Sequence, residues 1–248
     1  MYNYKLIIAY DGRRYAGWQI QPNATTIQAV VADAIQIITR EKVKLIGSSR
    51  TDSEVHSLGQ TANFRCSTLL DLLTTQRSLN GLLPSDIRIV DFSQVELSFH
   101  SQYDTKGKVY HYRLCCHPVL LPFDKGFAYH LRQPLNLEDM QQGASSFIGT
   151  HDFSSFANNA NRGNAAQNPV RTLSRIDLVE ENNGIIRLEF EGTGFLYKMV
   201  RNIVGTLIEI GKGKLSPTDI PHIIDARDRR QAPATAPGYG LWLIKVDY

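Results

Sequence analysis

Two apolar periods alternate along this chain, and that alternation limits the fold more than any other feature. Tyr4 to Tyr10 reads as a strand ended by the turn chemistry of Asp11-Gly12. Ile27, Val30, Val31, Ala34, Ile35 and Ile38 then follow the helical period, which predicts an amphipathic helix laid on a sheet, opened by a capping box with Thr25 as N-cap and Gln28 three residues on. A leucine-rich helix is expected from Leu69 to Leu79 and a strand from Ile87 to Val95. The second half repeats the pattern in kind. Lys106 to Leu114 alternates, with Tyr110, Tyr112 and Leu114 on one face and Val109, His111 and Arg113 on the other. Asn136 caps a helix with Leu137, Met140, Ala144, Phe147 and Ile148 as its stripe. Arg171 to Val179 and Ile185 to Glu191 form a hairpin across Glu-Glu-Asn-Asn-Gly, and Gly240 to Val246 is a closing strand. Between the last two comes a helix from Phe195 to Ile210, apolar over more than one stripe and therefore largely buried. The fold class is α+β. Two similar lobes sharing a mostly antiparallel sheet and meeting at a central cleft are expected, divided near Tyr103 into 1–103 and 104–248.

One stretch is not explained by packing. Gly47 to Phe64 is a polar excursion between apolar Val43, Leu45 and Ile46 and the alternating Ala62 and Phe64, and such excursions often carry sites. Arg50 and Asp52 are two apart, so in an extended backbone their side chains leave on the same side. Solvated loop residues would look the same. Arg201 and Asn202 sit mid-helix in an apolar surround, where an arginine needs a partner because an isolated buried charge is costly. Trp18, in a loop with Arg13, Arg14 and Tyr15, is expected to pack beside the sheet. Asn158 to Asn168 is polar and aperiodic, a loop.

Composition narrows the class. Apolar and charged fractions of 42% and 21% exclude a disordered chain, and a net charge of only +3 does not announce a nucleic-acid binder. Local basic clusters do exist at Arg13-Arg14, Lys42 with Lys44, Lys106 with Lys108, Lys212 with Lys214, and Arg227 to Arg230, each expected to be a solvated face when taken singly. Cys66, Cys115 and Cys116 show no metal spacing, and no apolar run approaches the ~20 residues of a membrane span. The first eight residues read as a strand rather than a signal peptide, so a soluble, reduced, cytoplasmic protein is expected.

The motifs exclude several chemistries. Gly211-Lys212-Gly213-Lys214 lacks the strand and spacing of a phosphate loop, the seven histidines are scattered, and Ser53, His56 and Asp52 lack a nucleophile elbow. One carboxylate, two arginines and one or two tyrosines remain. That set suits a planar, electron-poor ring attached to a sugar: Asp52 as the covalent or basic group, an arginine holding it ionised, a tyrosine stacked on the base, and a second arginine filling the space of a rotated-out nucleotide.

Four blocks carry a resemblance. Tyr10-Asp11-Gly12 with Tyr15 and Gly17-Trp18-Gln19, Arg50-Thr51-Asp52 with Val55-His56 and Gly59-Gln60, Phe99-His100 with Tyr110-x-Tyr112, and Phe195-Leu196-x-x-Met199-Val200-Arg201-Asn202-Ile203-Val204-Gly205 together resemble the TruA family of tRNA pseudouridine synthases, in the same order. His151 to Phe156 and Gly240-Leu241 extend it over the whole chain. The resemblance implies ferredoxin-like lobes in the pseudouridine synthase fold, and isomerisation of uridines at positions 38, 39 and 40 of the tRNA anticodon stem-loop, with no cofactor and no metal. It matches Asp52 to the essential aspartate, which attacks the sugar or base or removes a sugar proton. It matches Arg50 to the base-flipping residue, Tyr110 to the tyrosine against uracil, Arg201 to the arginine paired with the aspartate, and Leu241 to an aliphatic residue near the base. A homodimer with tRNA laid across both subunits is implied as well, which would gather Arg13, Arg14, Lys106 and Lys108 into one basic face. Ser49, Ser53 and Glu54 stand where the family usually carries Gly, a small residue and Gly; since Gly permits positive φ, Glu54 is expected to force a different turn. An RNA-binding chaperone that kept the fold and lost the activity is the competing reading. Retention of Arg50, Asp52, Tyr110 and Arg201 speaks against it.

Overall fold

The computed structural model describes residues 1–158 and 168–248, so most of the loop expected from Asn158 to Asn168 lies outside the described residues. The chain divides into two compact units, Met1–Lys106 with Trp242–Tyr248, and Gly107–Leu241. The first boundary falls three residues beyond Tyr103. The last strand departs further from expectation, since Trp242 and Leu243 pair in parallel with His56 and Ser57 of the first unit instead of staying with 104–241.

In the first unit, β1 (Tyr2–Tyr10) lies between β3 (His56–Cys66) and β4 (Ile87–Val95), antiparallel to both, with the short β2 (Ile46–Gly47) also on β3. On its apolar face Leu6, Ile8, Ala62 and Phe64 meet Ile27, Val31 and Ile35 of α1 (Ile27–Thr39) and Leu79 of α2 (Leu72–Leu82) in one core. β3 is buried on both faces: Gln60, Ala62 and Phe64 share one, and the polar Thr61 and Asn63 on the other are just as enclosed. The segment from Glu96 to Ser101 covers the second face and satisfies Asn63 and its neighbour Asn3: Asn3 Nδ2 donates to the carbonyls of Glu96 and Phe99, Asn63 Nδ2 donates to Asn3 Oδ1, and Ser101 N donates to Asn63 Oδ1. Unpaired, those buried amides would be costly.

The N-cap of α1 is Thr26, one residue later than expected, because its hydroxyl accepts from Ala29 N. Gln28 closes no box. Its amide instead donates to Leu45 O and accepts from Gln19 Nε2 and Ile20 N, binding the helix start to two neighbouring loops.

In the second unit, β5 (Gly107–Cys115), β9 (Ile185–Gly192), β8 (Val170–Glu180) and β7 (Gly149–Asp152) follow one another in an antiparallel sheet, with β6 (Tyr129–His130) parallel to β5. The two faces of β5 divide as its alternation predicts. Tyr110, Tyr112 and Leu114 are buried, whereas on the other face Arg113 joins Arg175, Arg187, Glu181 and Glu189 in an ion-pair lattice beside His111, whose imidazole burial pushes below its ordinary value. The hairpin turn places Asn183 and Gly184 at φ of 61° and 67°, the left-handed geometry that Asn-Gly favours. Helix α3 (Leu137–Ser145), capped by Asn136, packs at Gly143 against Leu207 and Ile210 of α4 (Met199–Gly211), and α5 (Ile220–Ala226) follows. As its apolar surface requires, α4 is enclosed over most of its circumference. No helix among the described residues is long and apolar enough to cross a membrane.

Candidate active site

The Arg50-Thr51-Asp52 loop is held by the segment from Tyr10 to Trp18. Thr51 is buried between the exposed Arg50 and the half-buried Asp52, as an extended backbone would set them, and its hydroxyl lies 2.8 Å from Tyr10 Oη. Trp18 N donates to Thr51 O at 3.0 Å, and Ser53 Oγ donates to Tyr15 O at 3.2 Å. Backbone contact is so close that a β-carbon on Gly17, at φ of 87°, would stand 2.4 Å from Thr51 O, and one on Gly12 would stand 2.0 Å from Val55 O. Trp18 is buried as expected, and its indole fills the space over Gly47. The Tyr10-to-Trp18 block is therefore a clamp on the loop that carries the carboxylate.

The turn that follows carries Glu54. Val55 N donates to Asp52 O at 3.3 Å, closing a turn in which Glu54 takes φ of 66°. Glu54 thus holds a left-handed conformation that costs a residue with a β-carbon more than it would cost glycine. Ser49, the other departure, has its Oγ buried with no hydrogen-bond partner among the described residues. Below the turn, His56 is fully buried, accepts from Gly12 N at Nδ1, stacks on Trp242 at 4.4 Å, and lies 3.3 Å from Asp11 Oδ1. Burial works to raise the Asp11 carboxyl, but the hydrogen bonds from Arg13, together with the nearby His56, outweigh it and hold the group below the usual carboxylate range. Arg13 is bound to Asp11, and Arg14 reaches Asp86 at 3.4 Å with most of its side chain in solvent, while Lys106 is exposed. The first unit thus sets Arg50, Asp52, Arg13 and Arg14 on two adjoining loops.

The second unit carries Tyr110, Arg201, Lys108 and Leu241. Tyr110, only 7% exposed, packs edge-on against Phe195 with ring centres 5.0 Å apart. Two residues on, Tyr112 donates from Oη to Pro237 O, and burial pushes its hydroxyl well above the ordinary value. Lys108 lies on the same strand face as Tyr110. Burial, then the proximity of Arg171, pushes its ammonium down to about 8. Leu241 is buried next to Gly240, which abuts the Tyr112 ring. Arg201 projects from the first turns of α4, and its Nε donates to Ala236 O at 2.8 Å.

Sequence reasoning missed Arg229. The Arg227-to-Arg230 run was expected to be solvated, and Arg227 and Arg230 are, pairing with Asp152 and Asp228. Arg229 instead turns inward, and burial lowers its guanidinium from the ordinary value. Nothing local separates it from its neighbours; only Asp228, which caps the turn, hints at how the run is oriented. Among the described residues no group of three or more His, Cys, Asp or Glu side chains is placed to hold a metal ion.

The half-buried Asp52, on a loop anchored at Thr51 and flanked by exposed arginines, defines the class as an α+β protein with an acidic candidate site. A family model described as tRNA pseudouridine synthase matches residues 6–104 and 144–248, and the chain belongs to that family, whose reaction is an isomerisation. It is 51% identical over 249 residues to tRNA pseudouridine synthase A 1 of Protochlamydia amoebophila (strain UWE25), covering 100% of this chain and 97% of that protein. It is 45% identical over 248 residues to tRNA pseudouridine synthase A of Acetivibrio thermocellus, covering 100% of both, and 44% identical over 246 residues to that of Chlamydia muridarum, covering 98% and 91%.

Proposed function

We propose that this chain converts uridine to pseudouridine at positions 38, 39 and 40 of the tRNA anticodon stem-loop. The bond from ribose C1′ to uracil N1 breaks, the base turns, a C1′–C5 bond forms, and the proton lost from C5 is balanced by one gained at N1. Asp52 acts either as nucleophile or as base on the sugar, and both roles need it ionised. Arg201 keeps it so, Arg50 fills the place of the extruded nucleotide, Tyr110 packs on uracil, and Leu241 lines the base site. Arg13, Arg14, Lys106 and Lys108 meet the phosphates. The observation that carries the reading is the clamp of Tyr10 to Trp18 on Thr51, which anchors the Asp52 backbone while leaving its carboxylate partly open. A homodimer supplies the rest of the tRNA surface, and the free cysteines suit a cytoplasmic enzyme.

An unmodified tRNA transcript incubated with the protein and mapped for pseudouridine tests this. Product is expected at 38, 39 and 40, with none from Asp52→Ala while tRNA affinity stays within about tenfold, ~1.4 kcal/mol. Intact binding without product at stoichiometric protein would favour an RNA chaperone.

A further inference from the structure

The segment from Ala232 to Pro237 crosses α4 as a strap, and it is held in place by Arg229, Asn202 and its own Thr235. Pro233 and Pro237 lack N–H groups, so the strap makes few backbone bonds of its own. Its carbonyls are gathered by Arg229 instead: Nη1 donates to Ala232 O at 2.8 Å and Nη2 to Pro233 O at 3.0 Å. Nη2 also donates to Thr235 Oγ1 at 3.1 Å and to Asn202 Oδ1 at 3.0 Å, and the Thr235 hydroxyl donates to the same Asn202 oxygen at 2.6 Å. Asn202 is fully buried, and its amide donates to Phe156 O and Asn158 Oδ1, so it cannot turn to follow a shifted strap. A third restraint is steric. A β-carbon on Gly205 would stand 2.0 Å from Ala234 O, so the strap lies directly on the helix.

The strap ends on Arg201. Ala236 O accepts from Arg201 Nε at 2.8 Å, and Ala236 N donates to Arg201 O at 3.1 Å. A guanidinium is planar, so fixing the direction of its Nε–H fixes the plane in which its terminal nitrogens lie. The position of one carbonyl therefore sets the direction of the fork.

We propose that Arg229, with Asn202 and Thr235, is a positioning device that aims the Arg201 guanidinium through the Ala232-to-Pro237 strap. This rests on the reading that Arg201 serves the reacting aspartate. Arg229 then touches no substrate; it acts through Ala236 O. Were it only a structural cation, its loss would lower stability and leave the chemical step of the folded enzyme unchanged.

The test uses the full-length protein, an unmodified tRNA transcript under single-turnover conditions, and a temperature well below each variant's unfolding midpoint. Thr235→Val removes the hydroxyl at constant shape, Thr235→Ser restores it, and Arg229→Lys keeps the charge but not the fork. Thr235→Val and Arg229→Lys are expected to slow pseudouridine formation by about tenfold or more, with the tRNA dissociation constant within about twofold and Thr235→Ser within about twofold of the parent rate. Parent rates in both slow candidates would overturn the proposal. So would a Thr235→Ser rate as low as that of Thr235→Val, or a loss confined to tRNA affinity. If Arg229→Lys does not fold, the Thr235 pair decides alone. Arg201→Ala belongs in the same series: a parent rate there sinks the reading of Arg201, whereas a slow Arg201→Ala beside a normal Thr235→Val sinks only the positioning role.

Discussion

Replacing Glu54 by glycine should stabilise this protein, although it removes a side chain and loosens the unfolded chain. Glu54 sits at φ of 66° in the turn closed by Val55 N and Asp52 O. For a residue with a β-carbon that conformation costs roughly 1–2 kcal/mol, which glycine avoids. The Glu54 side chain is exposed, so no packing is lost with it. Glycine gives back roughly 0.5–1 kcal/mol through the entropy of the unfolded state. The difference is a gain of about 1 kcal/mol, or about 2–4 °C in the melting midpoint of a chain this size. Urea unfolding of Glu54→Gly and Glu54→Ala, side by side, isolates the cause. Both remove the charge, but only glycine removes the β-carbon, so Glu54→Ala should gain nothing. Equal gains in the two variants would show that charge, not backbone strain, governs this turn, and a loss in Glu54→Gly would refute the argument outright.

Three further outcomes are expected. Gly17→Ala should cost about 2 kcal/mol or more in urea unfolding and depress turnover, because its methyl would meet Thr51 O at 2.4 Å at a positive φ; parent stability would mean the clamp has slack. Ser49→Ala removes a buried hydroxyl that has no partner among the described residues and should raise stability by about 1 kcal/mol in the same assay; a loss would mean that the hydroxyl is satisfied. Lys108, pushed from 10.5 to about 8, stays protonated in the unfolded chain to higher pH. Between about pH 8 and 10 the unfolded state therefore binds more protons, so stability should rise with pH in the parent and less so in Lys108→Met, while tRNA affinity of the parent falls as the charge is lost; parallel urea midpoints against pH would exclude this.

Local repetition in the sequence determined a good part of this protein. The spacing of Ile27, Val31 and Ile35 settles a helix, the alternation through Tyr110, Tyr112 and Leu114 settles a strand and its buried face, and the apolar girth around Arg201 settles that its helix is enclosed. The blocks around Arg50-Thr51-Asp52 and Phe195 to Gly205 pointed to the family. These are properties of residues within a few positions of one another, where period and composition act directly. What tertiary structure decided depends on groups far apart in the chain. Trp242 joins the first unit because it pairs beside His56, and Asn63 is buried because the segment from Glu96 to Ser101 covers a face that alternation leaves to solvent. Glu54 keeps a left-handed turn while the Tyr10-to-Trp18 segment holds the adjoining loop. Arg229 leaves a run of solvated arginines because Asn202 and the carbonyls of a proline-bounded strap offer it acceptors. A hydrogen-bonding group is satisfied by whatever the fold brings to it, and that cannot be read from the residues on either side.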